Sequence, residues 1–177
     1  MAAELIVYAV PVGPLADAID LFFGEVALRP TRAQEYPPHC TLTGFFHDEV
    51  NAIASYAEAA ASVVRPVSVD VRLQTTEWIG LEVRSLDLQQ LARDFAARVA
   101  SIATRREPIR LKEWLHVSLA YGHDAADGDE LTALASALVD PTADADWDLR
   151  LYERRDSHWI VHGSWALPRR AAAETVG

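Results

Sequence analysis

The chain lacks most of what staples a protein covalently or through metals. One residue in 177 is cysteine, Cys40, so an intramolecular disulfide and a multi-cysteine zinc cluster are both impossible. No HExxH is present and no cluster of acidic residues stands out as a metal site. Lysine is almost missing: Lys112 is the only one, and the remaining positive charge is arginine. Positive charge as a whole is short, 16 Lys and Arg against 26 Asp and Glu, for a formal net charge of −10. That balance argues against sequence-independent binding of long DNA or RNA, which needs dense Lys and Arg to neutralise phosphates. A small phosphate ligand held by a few local donors stays open. No apolar run is long enough to span a bilayer. The opening stretch MAAELIVYAVPVG is apolar but has no basic flank, and Asp17 and Asp20 follow it. It is expected to be a first strand rather than a signal peptide. The default expectation is a cytoplasmic monomer.

What is present reads as alternating strands and helices. Glu4–Pro11 predicts a buried strand ended by Pro11 and Gly13. Helical spacing of Leu15, Ile19, Phe22, Phe23 and Val26 predicts a helix over Pro14–Leu28. A loop with three prolines spans 29–38, and His39–Phe46 predicts a strand. His47-Asp48 then opens a helix to about Val64, with Asp48 as its N-cap. VSVDVRL, Val67–Leu73, alternates as a half-buried strand, with Trp78–Arg84 as hairpin partner. Asp87 to about Thr104 is the clearest helix, its stripe formed by Leu88, Leu91, Phe95, Val99 and Ile102. Leu115–Tyr121 predicts a strand and Asp129–Leu138 a short helix. Trp147–Arg154 and His158–Leu167 predict a closing hairpin turning near 155–157. HCTLTGFFHDE is weakly repeated in HVSLAYGHDA, which suggests two similar lobes about a pseudo-twofold axis.

The repeated unit carries the chemistry. Side chains alternate faces along a strand, so residues i and i+2 point together. His39 therefore shares a face with Thr41, and His116 with Ser118. The opposite faces, Cys40 and Leu42 in one copy and Val117 and Leu119 in the other, are apolar. If two equivalent lobes face one another, two imidazoles and two hydroxyls meet in one cleft. Such a quartet suits phosphodiester chemistry without a metal. One neutral imidazole takes a proton from attacking water and the other, protonated, delivers one to the departing oxygen. The hydroxyls donate to phosphate oxygens that gain charge in the transition state.

The pair His-x-Thr and His-x-Ser resembles the signature of the 2H phosphoesterase superfamily. Small plant- and yeast-type cyclic phosphodiesterases are similar through VYAVP, PHCT, HVSLAY and WIVHGSW. TULA-type phosphoesterase domains resemble PHCTLTGFF and LHVSLAYG. The resemblance runs from Val7 to about Leu167. It implies a bilobal α+β fold over residues 1–168, with two pseudo-symmetric lobes of antiparallel sheet and outer helices around a central cleft, and a flexible tail over 169–177. It implies hydrolysis of small 2′,3′-cyclic phosphates, of nucleotide or ADP-ribose type, with no cofactor. His39 and His116 would be the acid–base pair and Thr41 and Ser118 the phosphate ligands. The second motif has Ser where many members have Thr, and either supplies the donor. Other branches imply RNA-end processing or 2′-5′ ligation on the same site, and a non-catalytic nucleotide-binding module is a further alternative.

Secondary candidates each have two readings. The resemblance sets Tyr121 near the phosphate, whereas strand parity with Val117 and Leu119 makes it a core residue. Tyr8 either lines the cleft, stacking on a base or sugar, or packs in the core. Trp114 shares parity with His116 and Ser118, so it either floors the cleft mouth or anchors the strand. Arg105, Arg106, Arg110 and Lys112 either attract a phosphorylated ligand or form a solvated loop. His47 and His123 suit turn or cap roles. His158 and His162 share strand parity but lack a third metal ligand. Cys40 faces away from His39, which argues against a Cys-His nucleophile pair.

Overall fold

The sheet is built outward from a strand that is apolar on both faces. The computed structural model describes residues 2–29, 37–105, 107–156 and 158–170. Strand β1 (Ala2–Val12) buries Leu5, Val7 and Ala9 in the main core and Ile6, Tyr8 and Val10 on its other face. Burial on both sides is what a continuous apolar run specifies. β1 runs through Pro11 rather than ending there. Val7 N–H and C=O both point toward the strand that follows, and Pro11 shares that direction by parity. The ladder on that side stops at Ala9, so the missing Pro11 N–H leaves no ladder bond unmade.

The remaining elements follow in chain order: α1 (Pro14–Ala27), β2 (Cys40–Thr41), β3 (Phe46–Glu49), α2 (Ile53–Ser62), β4 (Asp70–Gln74), β5 (Ile79–Arg84), α3 (Leu86–Arg98), β6 (Leu115–Ala120), α4 (Gly128–Leu138), β7 (Asp146–Arg155) and β8 (His158–Leu167). The helices bury the stripes their spacing predicts: Leu15, Ile19, Phe22, Phe23 and Val26 on α1, and Leu88, Leu91 and Phe95 on α3. Ser85 caps α3 by accepting from the Leu88 N–H at 3.1 Å.

Among the described residues the strands form one antiparallel sheet in the order β4-β5-β6-β2-β1-β7-β8, with β3 also paired to β1. Apart from the edge strand β8, the order is palindromic about the β6–β2 joint. β6 answers β2, β5 answers β1 and β4 answers β7. Each motif strand is followed by a 3-10 turn and a helix, Val50–Ala52 then α2 after the first and Ala125–Asp127 then α4 after the second. This is an α+β protein with an antiparallel sheet. No helix among the described residues is long and apolar enough to cross a membrane.

Three expectations are corrected. The strand expected over His39–Phe46 is broken into β2 and β3. Tyr8 pairs Thr41 while Leu5 pairs Phe46, so this segment carries two more residues than β1 between those points. The excess bulges at Leu42–Phe45, where the fully buried Thr43 turns its hydroxyl to accept the Val7 N–H at 3.1 Å. His47 and Asp48 lie in β3, not at a helix start. The Asp48 carboxylate accepts from Glu49 N–H at 2.7 Å and Tyr56 Oη at 2.6 Å, a local network instead of a cap. Helix α3 stops at Arg98, where Val99 N–H returns to the Phe95 carbonyl, and Arg105 Nη1 donates to the Val99 carbonyl. Arg169 and Arg170 contact the fold at the point where the flexible tail is expected to begin. Val67 N–H donates to the Pro168 carbonyl and Arg170 N–H to the Val67 carbonyl, both at 2.8 Å, while Arg169 pairs with Asp144 and Asp146. The rest of the proline-bearing loop, residues 30–36, lies outside the described residues, as do Arg106, Ser157 and 171–177.

Candidate active site

The two motif strands are neighbours. β2 and β6 run antiparallel with Cys40 opposite Val117. Extending that register one residue each way sets His39 beside Ser118 and Thr41 beside His116. Burial agrees: Leu115, Val117 and Leu119 are in the core, and His116 and Ser118 are on the open face. His39 and Thr41 lie on that same face, and Cys40 is fully buried on the other. Burial pushes the Cys40 thiol up to about 12, so it has no nucleophilic role. Directly opposed residues in such a ladder stand ~5 Å apart and diagonal ones ~7–8 Å. The two imidazoles are diagonal, a spacing that leaves room for one phosphorus centre between them.

The register continues across the sheet. Glu82 opposes His116, Tyr8 opposes Thr41, Arg150 opposes Tyr8 and Ser164 opposes Arg150. These pairs make one row of side chains across the open face. Tyr8 is 7 % exposed and stacks on His39 with centroids 4.2 Å apart and planes 26° from parallel. Burial raises the Tyr8 phenol well above its ordinary range, so it is a neutral donor at working pH.

A cavity of about 710 Å³ opens on the His39 side, lined by Tyr8, Pro37, Pro38, His39, Phe45, Ser118, Tyr121, Tyr152, Arg154 and Trp159. Its volume suits a nucleotide-sized ligand. Tyr121 is 62 % exposed and lines this cavity, so parity with Leu119 does not make it a core residue. β6 ends at Ala120 and Gly122 takes a positive φ of 68°, which ends the strand alternation that parity relies on. Arg154 stacks 4.5 Å over the Phe45 ring and pairs with Glu4 at 2.5 and 2.9 Å. Phe45, Tyr152, Arg154 and Trp159 were not foreseen as site residues. Thr41 and His116 are not among the residues lining this cavity.

Trp114 does not line it either. It stacks on His116 at 4.1 Å with a 23° tilt, and Trp78 meets the same imidazole edge-on at 5.5 Å. Gly80 makes room for Trp78, since a Cβ there would stand 2.1 Å from the indole and 2.5 Å from the Val117 carbonyl oxygen.

The two histidines are held differently. His39 Nδ1 lies 2.8 Å from the Pro37 carbonyl, which can only accept, so Nδ1 carries the proton and Nε2 the lone pair of the neutral ring. Burial lowers the His39 pKa, and the Pro37 carbonyl opposes that shift. His116 Nδ1 is buried with no hydrogen bond of ordinary geometry, although the Trp114 backbone favours its protonated form. Burial lowers the His116 pKa, helped by Lys112 and by His39.

Arg105, His47 and His162 make structural contacts. Arg105 Nε donates to the Glu107 carbonyl at 2.9 Å, so with its Val99 bond it braces a loop. His47 lies 3.1 Å from Glu107 and 3.6 Å from Glu4. His162 is the bulged residue of β8, opposite none on β7, and meets Glu153 Oε2 at 2.8 Å. Among the described residues no group of three or more His, Cys, Asp or Glu is arranged to hold a metal ion. No protein-family model and no curated protein matches this chain.

Proposed function

We propose that this protein hydrolyses small 2′,3′-cyclic phosphodiesters by two-histidine acid–base catalysis on a bilobal 2H-type fold. The observation that carries the reading is the β2–β6 register, which brings His39, Thr41, His116 and Ser118 to one face beside the 710 Å³ cavity. The palindromic strand order supports two pseudo-symmetric halves meeting at that joint.

The asymmetry of the site supports one assignment of the roles. In a cyclic phosphate the departing oxygen stays on the sugar, and the aromatic cavity that would hold the nucleoside lies on the His39 side. His39 then protonates the leaving oxygen; burial lowers its pKa, and its Nδ1 bond to the Pro37 carbonyl opposes that and favours the imidazolium this requires. His116, across the phosphorus, takes the proton of the attacking water. Thr41 and Ser118 donate to the non-bridging oxygens, whose charge grows as phosphorus becomes five-coordinate. The product is a phosphate monoester carrying a free ribose hydroxyl.

The test is a panel of 2′,3′-cyclic nucleotides with ADP-ribose 1″,2″-cyclic phosphate, the products resolved by phosphate position. Wild-type protein should open at least one ring, and His39→Ala or His116→Ala should each lower turnover by ~10²–10⁴-fold while remaining folded. Full activity in either variant, or no turnover of any member, overturns the assignment.

A further inference from the structure

Resting on the reading just proposed, we infer that Trp114 and Trp78 are positioning residues that hold the His116 ring and stabilise its imidazolium as it accepts the proton of water. A catalytic imidazole is normally oriented by an acceptor at its second nitrogen. His39 has one in the Pro37 carbonyl, whereas His116 Nδ1 has no well-formed hydrogen bond. Aromatic rings pack against this imidazole in addition to the imperfectly placed Trp114 backbone. One face of the imidazole lies on Trp114 at 4.1 Å, Trp78 closes on it at 5.5 Å and 73°, and the two indoles meet edge-on at 4.9 Å. Two walls at these angles hold the plane of the ring. An aromatic face also attracts a cation more than the neutral ring. The stack therefore strengthens as His116 becomes charged, which is where help lowers a barrier.

The other charged groups around His116 do not replace this role. Glu82, its register partner on β5, is engaged by Arg84 at 2.9 Å. The Trp114 backbone favours the charged ring but without a well-formed bond, and Lys112 and His39 both disfavour a second positive charge there. Trp114 is absent from the 710 Å³ cavity and is 50 % exposed, so a substitution there leaves the core untouched.

The test compares Trp114→Leu, which keeps apolar cover but removes the aromatic face, with Trp114→Phe, which retains it. Steady-state kinetics on the best cyclic phosphate are paired with an NMR titration of the His116 imidazole. In Trp114→Leu, kcat should fall about five- to tenfold with KM unchanged, because the lost contact acts in the transition state. The His116 pKa should fall, and the acid limb of kcat should move to lower pH with it. Trp114→Phe should recover most of both effects, and Trp78→Leu should reproduce a smaller version of the loss. A raised KM at unchanged kcat makes Trp114 a substrate contact and overturns the proposal. So does a His116 titration indifferent to both tryptophans. The titration needs no turnover, so it separates failure of this inference from failure of the hydrolase reading.

Discussion

Thr43→Val is the sharpest probe of how the first motif strand is held. The two side chains have nearly the same shape, so the change removes one oxygen with little change of packing. That oxygen accepts the Val7 N–H at 3.1 Å inside a site with no solvent exposure. Valine leaves the N–H buried with no acceptor, which costs ~1–3 kcal/mol. With a urea slope of ~2 kcal/mol per molar for a domain of this size, the midpoint should drop by ~0.5–1.5 M. The melting temperature should fall by ~2–12 °C. Tryptophan fluorescence in a urea titration reads the shift. Thr43→Ser keeps the oxygen and loses only a methyl, so its loss should stay near ~1 kcal/mol. A Thr43→Val midpoint equal to wild type, or a larger loss for Ser than for Val, would refute the claim that this hydroxyl completes the β1 ladder at the bulge.

Three other outcomes are expected. Gly80→Ala should cost ~1–3 kcal/mol, because a backbone oxygen as well as the Trp78 ring blocks the added carbon; an unchanged urea midpoint would show the site relaxes freely. The His39 and His116 imidazoles are both held below their ordinary 6.5 by burial, so the unfolded chain binds more protons than the folded one. Stability from this source is full above about pH 6.5 and is lost as pH falls through that value toward the folded pKa values. Denaturation midpoints of wild type and a His39→Ala, His116→Ala double variant should therefore converge differently on acidification, and parallel curves would contradict it. Turnover should follow a bell in pH with its optimum below 6.5 and should survive a chelator; activity lost in EDTA and restored by a divalent cation would end the two-histidine mechanism.

The alternation of HCT and HVSLA was enough to put each histidine with its hydroxyl on one face of its own strand and Cys40, Val117 and Leu119 on the opposite faces, because a strand has only two faces; that the two pairs share a face came from the β2–β6 register. Helices α1 and α3 were legible for the same reason at period 3.6. The bulge at Thr43 was not, since whether a threonine hydroxyl points to solvent or replaces a ladder carbonyl depends on the neighbouring strand. Asp48 before a hydrophobic run reads identically as a helix cap and as a strand residue bonded to Tyr56. The cavity wall from Tyr152, Arg154 and Trp159 depended on strand order, which pairs β7 with β1 and no local pattern records. Tyr121 was undecided because parity holds only while the strand lasts, and it ends one residue earlier.

The palindromic order also bears on how this protein is made. In chain order each side of the joint is completed from the far part of the sequence: β4, which follows the first motif, pairs with β5 ahead of the second, and β7, which follows the second motif, pairs with β1. Glu4 and Arg154 hold hands across 150 residues of chain. A ribosome that has released only the first motif has therefore exposed a β1 whose longest partner does not yet exist, and non-local pairing of this kind is slow to close. Fragments split between β4 and β5 should each be incompetent alone and regain the site only on mixing.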